Sequence, residues 1–331
     1  MNEKKHQLLY GYGLCWIPVL LIACGIIPAV EFTSRSLFSQ SVLAKLASVP
    51  HFERVELVGS AANGTVLDGK DGWFNGGKPT EILVRSKKIG ESWDRPSDIT
   101  LQNMRLRGSI RIVGLGRNGQ GREVCTSSHR EGHTSFAQAA APTRIVISNV
   151  WIEADQGIPI YLAPGATRVT VVDCVITGQS SSVALYLDAE SGQNTIRDNT
   201  FASDVGREVL AVDGSADNRI ESNRFERMPL GGIYLYRNCG EGGTVRHQTP
   251  HGNVIAGNQF NTRALGWRSY GVWLGSRNGH RGYCDDDAGY PFGSSIDNRD
   301  FANDNTVTHN TFTPASSRAV RDDGANNRVA L

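Results

Sequence analysis

A short segment recurs along this chain and constrains the fold more than any other feature. Each full copy reads Asn, any residue, Ile or Val, two further residues, Asn, any residue, Phe. Full copies begin at Asn194, Asn218, Asn253 and Asn305. Weaker copies begin at Asp98, Arg144 and Arg168, and a last one starts at Asn327. The closing apolar residues at positions 152, 176, 201 and 225 are 24, 25 and 24 residues apart. A fixed period of this size indicates a solenoid.

Apolar and polar residues alternate within each copy, which is the pattern of a strand with one buried and one exposed face. A repeat of this length with two or three short strands is one coil of a parallel β-helix. Because a single coil cannot bury its inner face alone, coils must stack on one another. We therefore expect at least seven stacked coils, with one corner formed by an amide ladder of Asn199, Asn223, Asn258 and Asn310. Leucine-rich repeats have a similar period, but the regularly placed Leu residues that they need are absent.

The N-x-I-x-x-N-x-F coils resemble those of the pectin-lyase-like superfamily of right-handed parallel β-helices, over roughly residues 50–331. The resemblance implies an all-β, right-handed parallel β-helix for residues 51–331. It also implies that residues 31–50 form a short N-terminal helix that caps the open core of the first coil. Members of that superfamily include polysaccharide lyases, uronate epimerases, glycoside hydrolases, phage tailspikes and proteins with no known activity. The fold alone therefore does not assign a reaction.

Residues 1–30 have the composition of a targeting segment. Lys4 and Lys5 precede an apolar run over residues 8–30, which is typical of a signal sequence. The tetrapeptide at 21–24, which ends in Cys24, also fits the lipobox of bacterial lipoproteins. An uncleaved membrane anchor is the alternative, since the run is long enough to span a bilayer. We expect an exported bacterial protein that is periplasmic, an outer-membrane lipoprotein or membrane-anchored, with membrane contact only through this segment.

The coil period is interrupted by three insertions, at 115–142, 237–252 and 276–303. Each insertion follows the same strand of its coil. The aligned copies of that strand are 109–113, 157–161, 184–188, 209–213, 232–236 and 271–275. One outward column of the alignment comprises Arg111, Pro159, Tyr186, Ala211, Tyr234 and Trp273. The other comprises Val113, Tyr161, Asp188, Asp213, Tyr236 and Gly275. Three loops that leave from one edge would border a groove, which is the usual setting for a ligand site.

Arginine and histidine are concentrated in these insertions, although the formal net charge of the chain is only +1. A nearly neutral chain argues against general nucleic-acid binding. Arginine forms paired hydrogen bonds with carboxylates, and exposed Tyr and Trp rings can stack on sugar faces. The pattern favours an acidic, uronate-containing polysaccharide as the partner. The predicted substrate-binding residues are Tyr186, Asp188, Asp213, Tyr234, Arg246, Trp273 and Arg281.

Cleavage of a uronate by β-elimination requires neutralisation of the carboxylate, a base for the C5 proton and an acid for the leaving oxygen. Lysine does not occur after Lys88, so Arg, His or Tyr must supply the base. We expect Arg237 and Arg277 to bind the carboxylate, His247 or His280 to act as base, and Tyr236 or Tyr234 to act as acid. A C5 epimerase would use the same residues.

Two further classes of function stay open. A glycoside hydrolase would use Asp188 and Asp213 as its paired carboxylates, on strands of neighbouring coils. A non-catalytic protein for glycan binding or exopolysaccharide assembly would use the same groove without chemistry.

The sequence predicts no cofactor, although Asp285, Asp286 and Asp287 leave calcium binding open. There is no CxxC pair, so no structural zinc site is indicated. Cys239 and Cys284 lie in the insertions of neighbouring coils, and export permits a disulfide between them. Cys174 occupies the position of a ladder Asn, which predicts a buried free thiol.

Overall fold

The computed structural model describes residues 53–331. The first strands are β1 (Glu53–Val58), β2 (Val66–Trp73), β3 (Thr80–Arg85), β4 (Lys87–Ile89), β5 (Ser92–Asp94), β6 (Ser97–Val113) and β7 (Thr143–Gln156). They are followed by β8 (Ile160–Leu162), β9 (Thr170–Val172), β10 (Val175–Ser180), β11 (Leu185–Leu187), β12 (Thr195–Arg197), β13 (Thr200–Phe201), β14 (Asp204–Val205), β15 (Leu210–Asp213), β16 (Arg219–Glu221), β17 (Arg224–Phe225) and β18 (Ile233–Tyr236). The last are β19 (Val254–Ala256), β20 (Gln259–Asn261), β21 (Val272–Leu274), β22 (Thr306–Thr308), β23 (Thr311–Thr313), β24 (Val320–Asp322) and β25 (Arg328–Ala330).

Helical structure within these residues is short and lies between strands. There are two α-helices, α1 (Arg122–Ser128) and α2 (His133–Ala140), both within the first insertion. Single 3₁₀ turns occur at Ser60–Ala62, Phe74–Gly77, Glu241–Gly243, Thr262–Ala264 and Gly293–Ser295. No helix of the described part of the chain is long and apolar enough to cross a membrane.

The strands stack in parallel into two faces of one solenoid. Sheet A consists of nine strands, namely β1, β3, the second half of β6, β8, β11, β15, β18, β21 and β24. Sheet B contains the remaining strands except β4 and β5, which form a separate antiparallel pair. The predicted right-handed parallel β-helix is confirmed, and the nine stacked strands of sheet A agree with the expectation of at least seven coils.

The interior is filled by equivalent residues that stack from coil to coil. Ile, Val and Leu side chains of both sheets are buried in one continuous core. Phe201, Phe225, Phe260 and Phe312 form a column in which successive ring centroids are 5.0, 4.7 and 4.8 Å apart. Each ring therefore covers the ring of the coil before it, which explains why Phe closes every full copy of the repeat.

The predicted ladder of Asn199, Asn223, Asn258 and Asn310 is confirmed. From Asn223 onward, each Oδ1 accepts the backbone N–H and the side-chain amide of the preceding ladder Asn at 2.9–3.0 Å. The residue before each ladder Asn has a left-handed φ of 56–66°, which turns the chain between two strands. A second ladder of Asn194, Asn218, Asn253, Asn305 and Asn327 has the same bonding at 2.8–3.2 Å. Both Asn of the repeat thus satisfy buried backbone groups at a corner.

The cysteine predictions are also confirmed. A disulfide joins Cys239 and Cys284 and so links the second insertion to the third. Cys174 is a buried free thiol, and its backbone N–H donates to Asn199 Oδ1 at 2.9 Å. It therefore occupies the ladder position one coil before Asn199.

One strand alignment was wrong by two residues. Tyr161 pairs with Tyr186, and Ile160 pairs with Leu185, so that β8 begins after Pro159. Proline has no N–H for the inter-strand ladder, which disfavours an alignment that places it within a central strand. Tyr161 therefore joins Arg111 and Tyr186 in the first outward column and does not belong with Asp188. The targeting segment at 1–30 and the capping helix at 31–50 lie outside the described residues.

Candidate functional site

Residues of all three insertions meet above sheet A around one pocket of about 560 Å³. The sheet and the turns that precede its strands contribute Ile158, Tyr161, Ser182, Tyr186, Asp188 and Arg207. The insertions contribute Asn118, Gly119, Gln120, Asn238, Glu241, Arg246, Arg277, Arg281 and Tyr283. The lining thus contains four arginines and two acidic residues, which gives it an excess of positive charge.

Arg246 is the most deeply buried of the four arginines, with 1% of its surface exposed. Its Nε donates to the Asn238 carbonyl at 3.2 Å, and its terminal nitrogens lie 3.9 Å from Asp188 and 3.8 Å from Glu241. Its Nη1 has no hydrogen-bond partner among the described residues. A buried cationic donor without a hydrogen-bond partner is costly, and the two nearby carboxylates offset only its charge.

Gly119 allows the first insertion to pass directly over this guanidinium. A Cβ at Gly119 would lie 2.5 Å from both terminal nitrogens of Arg246, so the close approach requires glycine. At Gly119 the backbone of the first insertion therefore lies directly against the Arg246 guanidinium.

Arg207 and Arg277 enclose the buried Tyr236 from two sides. The Arg277 guanidinium carbon lies 3.7 Å from the centroid of the Tyr236 ring, which is a close cation–π contact. The Tyr236 hydroxyl donates to Glu208 at 2.8 Å and accepts from Arg207 at 2.6 Å. Arg277 also donates to the Tyr283 hydroxyl at 3.1 Å. Tyr236 therefore supports the arginines from below and does not line the pocket, contrary to the role of acid predicted for it.

Asp188 is a buried carboxyl on the pocket floor. Loss of solvation raises its pKa to about 6, and nearby Asp213 acts in the same direction, whereas Arg246 opposes the shift. The Tyr161 hydroxyl donates to Asp188 Oδ2, and the Ala189 N–H donates to Oδ1 at 2.8 Å. A carboxyl with a pKa near neutrality that lines a pocket can exchange a proton with a ligand.

Asp213 has a different environment from Asp188, although the two occupy neighbouring coils in the same column. It is completely buried, and it accepts hydrogen bonds from Tyr186 at 2.7 Å and from both nitrogens of Asn238 at 2.9 and 2.7 Å. These bonds fix the start of the second insertion. Asp213 is thus a positioning residue and not a member of an exposed carboxylate pair.

Arg237 lies away from the pocket lining, contrary to its predicted contact with substrate. Its side chain is buried, and its Nη2 donates to the backbone carbonyls of Asp297 and Arg299, the latter at 2.6 Å. Its backbone N–H donates to Asp300 at 2.9 Å. Arg237 therefore anchors the end of the third insertion.

The two histidines predicted as bases are not brought together with the pocket lining. The His247 ring hydrogen-bonds the Ser128 carbonyl at 2.7 Å and packs against Phe292, with ring centroids 4.7 Å apart. His280 is exposed and lines an adjacent depression with Trp273, Arg277, Arg281, Arg321 and Asp323. Tyr234 is buried beneath Trp273, with ring centroids 5.4 Å apart. Arg277 and Arg281 border both the pocket and this depression.

Two of the three aspartates considered for calcium binding accept side-chain hydrogen bonds within the third insertion. Asp285 accepts from Asn298 and Asp287 from Ser294, each at 2.5 Å. Within residues 53–331 no group of three or more His, Cys, Asp and Glu side chains is arranged to hold a metal ion.

Sequence reasoning missed several residues of the pocket, namely Tyr161, Arg207, Glu241, Tyr283 and 118–120. A correct register for β8 would have identified Tyr161. Arg207 lies in the turn before β15, and Tyr283 lies deep in an irregular loop, so neither shares a repeat position that could be aligned.

Comparison with protein families gives one match for this chain. The model of the family described as right handed beta helix region matches residues 130–330, which is more than half of the sequence. No curated protein and no solved structure matches the chain.

Proposed function

The chain belongs to the right-handed β-helix family, and on that premise we propose that its pocket binds an acidic, uronate-containing polysaccharide and cleaves it by β-elimination. One observation carries the proposal: four arginines converge on one pocket against two acidic residues, so its lining carries an excess of positive charge. Such a site selects anionic ligands, and the planar guanidinium matches a sugar carboxylate.

Arg277 and Arg281 are assigned to the uronate carboxylate. Arg281 is exposed, and its side chain has no hydrogen bond or ion pair to any residue of the described chain, so its guanidinium is free for ligand. Neutralisation of the carboxylate makes the C5 proton more acidic and stabilises the negative charge that develops as this proton leaves.

Asp188 is assigned as the base and Tyr283 as the acid. With a pKa of about 6, Asp188 is mainly ionised at neutral pH and accepts the C5 proton. The C5–H electron pair forms the C4–C5 double bond, the C4–O bond breaks, and the leaving oxygen receives a proton from the Tyr283 hydroxyl. Arg277, which already donates to that hydroxyl at 3.1 Å, stabilises the resulting phenolate. Return of a proton to the opposite face of C5 would instead give epimerisation with the same residues.

A glycoside hydrolase is the second candidate, because a carboxyl of raised pKa is also what a general acid requires. The partner carboxyl would be Glu241, which lines the pocket, since Asp213 is buried and fully hydrogen-bonded. In that case the same pocket would release reducing ends without forming an unsaturated sugar.

The test is incubation with a panel of uronate polymers and one neutral glucan, with ultraviolet absorbance and reducing ends measured together. We expect an unsaturated product from a uronate polymer only. Reducing ends without absorbance would replace elimination by hydrolysis. Exchange of the C5 proton with solvent, without chain cleavage, would indicate the epimerase. Binding without any product would leave a glycan-binding protein.

The Asp188→Asn variant should lower kcat by about 10²–10⁴-fold, because it removes the base while it preserves the shape of the side chain. The matched control is Asp204→Asn, which changes an exposed aspartate paired with Arg227 at 2.7 Å outside the pocket. Equal activity of the two variants would refute the assignment of Asp188.

The Arg281→Ala variant should lower kcat/KM roughly 10- to 100-fold, since one hydrogen bond to a charged group is lost. The control is Arg122→Ala, whose side chain is 91% exposed at the start of α1. A loss of similar size in both variants would indicate only a general effect of net charge.

A further inference from the structure

Two exposed tryptophans stand in one column on sheet B, away from the pocket on sheet A. Trp73 pairs in register with Arg105, and Arg105 pairs with Trp151, so the outward residues of three successive coils read Trp, Arg, Trp. Trp73 is 44% and Trp151 46% exposed, although large apolar side chains are mostly buried in this solenoid. The strands that carry the two tryptophans are separated by two inter-strand spacings, roughly 10 Å.

The rings are held in place before any ligand arrives. The Trp151 indole N–H donates to Thr177 Oγ1 at 3.0 Å, and Thr177 in turn donates to the Ile152 carbonyl at 3.2 Å. On the other side, the turn at Gly77 lies beside the Trp73 indole, since a Cβ added at Gly77 would come within 3.6 Å of the ring. Ordered aromatic rings lose little entropy when a ligand stacks on them.

The charged side chains beside the rings are Arg105, Arg107 and Glu153, which together carry one net positive charge. The Arg105 guanidinium carbon lies 5.6 Å from the centroid of Trp151, and Arg105 has no ion pair or hydrogen bond from its side chain to the described residues. Arg107 lies 5.8 Å from the Trp73 ring and forms a 3.4 Å pair with Glu153. Between these side chains there is a depression of about 370 Å³, which Trp73, Arg105 and Trp151 line with Glu153, Thr177 and Gly178.

We infer that a second glycan-binding site is formed by Trp73, Arg105 and Trp151. This site holds one stretch of the acidic polysaccharide while another stretch of the same polysaccharide occupies the pocket. The Trp rings stack on the apolar faces of two sugar residues, and Arg105 binds a carboxylate between them. Charge complementarity favours this occupant over an uncharged partner. The inference rests on the proposed function only for the class of polysaccharide, since the two sites lie on different sheets.

The test compares binding and turnover in the variant Trp73→Ala/Trp151→Ala. Affinity for a long uronate polymer, measured by affinity electrophoresis and titration calorimetry, should fall on the order of tenfold, because two stacking contacts are lost. The rate of cleavage of a short oligosaccharide that fills only the pocket should stay unchanged. Arg105→Ala should weaken polymer binding in the same direction without removing a ring. The matched control is Trp267→Ala, a 76% exposed tryptophan with Arg268 over its ring at 3.9 Å.

Unchanged polymer affinity in the double variant, or an equal loss with Trp267→Ala, would overturn the inference. A difference in oligomeric state between wild type and the double variant, measured by light scattering, would also overturn it. In that case the face that carries Trp73 and Trp151 would bind a second copy of the protein. If Asp188→Asn and Arg281→Ala lower activity as expected while the double variant binds as wild type, the accessory site fails and the pocket stands. If the double variant loses polymer binding while no product ever forms, the proposed reaction fails and the accessory site stands.

Discussion

The corner of the solenoid and the floor of the pocket are built from the same coils but follow opposite rules. At the corner, the same residue type recurs on every full coil, as in the Asn199 ladder and the Phe201 column. On the outward face of sheet A, no single residue type recurs along the whole column of aligned residues. They are Arg111, Tyr161, Tyr186, Ala211, Tyr234 and Trp273.

The difference reflects what each surface must satisfy. Inside a stack, each residue meets a copy of itself, so one solution for packing and hydrogen bonding can be repeated along the axis. A pocket must instead place different groups around one ligand, and that requires the coils to differ. Repetition therefore identifies the residues that hold the scaffold, and departures from it mark where a site can be built.

The largest effect on stability is expected in the repeated part. Phe225→Ala should lower the free energy of unfolding by about 3–5 kcal/mol, because its ring stacks between Phe201 and Phe260 and a cavity would remain. Denaturant unfolding measures this loss, and Trp267→Ala serves as the exposed aromatic control. A loss below 1 kcal/mol would mean that the column does not act as the core of the stack.

Arg237→Met tests the border between the two regions. The variant should lose about 3 kcal/mol of stability, since buried carbonyls of residues 297 and 299 lose their donor. Activity per folded molecule should change little, because the side chain does not line the pocket. A specific loss of kcat in a fully folded variant would restore Arg237 to the reaction.

The fold followed from the sequence because its determinants are local and repeated. The period near 24 residues, the ladder position of Cys174 and the origin of the three insertions could all be obtained by aligning copies. The site was only partly accessible. Five of the predicted site residues line one pocket, because they follow aligned strands or lie in the insertions, namely Arg277, Arg281, Arg246, Tyr186 and Asp188.

The errors have a common physical cause. Whether an arginine faces ligand or anchors a loop depends on how the loop folds, and no repeat fixes that. Arg237 turned inward to backbone carbonyls, whereas Arg281 remained exposed. The His247 ring hydrogen-bonds the carbonyl of Ser128 at the end of α1, and these two residues are 119 positions apart in the sequence.

The insertions should also govern the response of stability to acid. His133 is buried between the first two insertions, near His247, Glu190, Arg246 and His129, and neither ring nitrogen has a hydrogen-bond partner among the described residues. Burial lowers its pKa from 6.5 to about 4. Between these values the unfolded chain binds more protons than the native one, so stability present above pH 6.5 declines as the pH falls towards 4.

His133→Phe should remove this part of the decline, because phenylalanine fills a similar volume and does not titrate. The difference in unfolding free energy between variant and wild type should be about 2–3 kcal/mol more favourable to the variant at pH 4 than at pH 7. Unfolding free energies at the two pH values measure the change, with exposed His280→Gln as control.

A raised pKa acts with the opposite sign. Because burial raises the pKa of Asp188, its contribution to stability falls as the pH rises from 3.8 towards 6. A second variant, Asp188→Asn, separates the two contributions.

The smallest effect is expected where the repeat itself is incomplete. Cys174 occupies the ladder position before Asn199, and its thiol lies 3.6 Å from the Ile147 carbonyl that an amide there could reach. Cys174→Asn should extend the ladder by one coil, with its Nδ2 donating to Asn199 Oδ1 and its Oδ1 accepting the Val150 N–H. The net gain should be about 0.5–1.5 kcal/mol, the contribution of one additional buried hydrogen bond. Denaturant unfolding beside Cys174→Ala separates this gain from loss of the thiol. Destabilisation by the Asn variant beyond that of the Ala variant would show that the coil at Cys174 is not equivalent to those that follow, and that the ladder ends at Asn199 for reasons of packing.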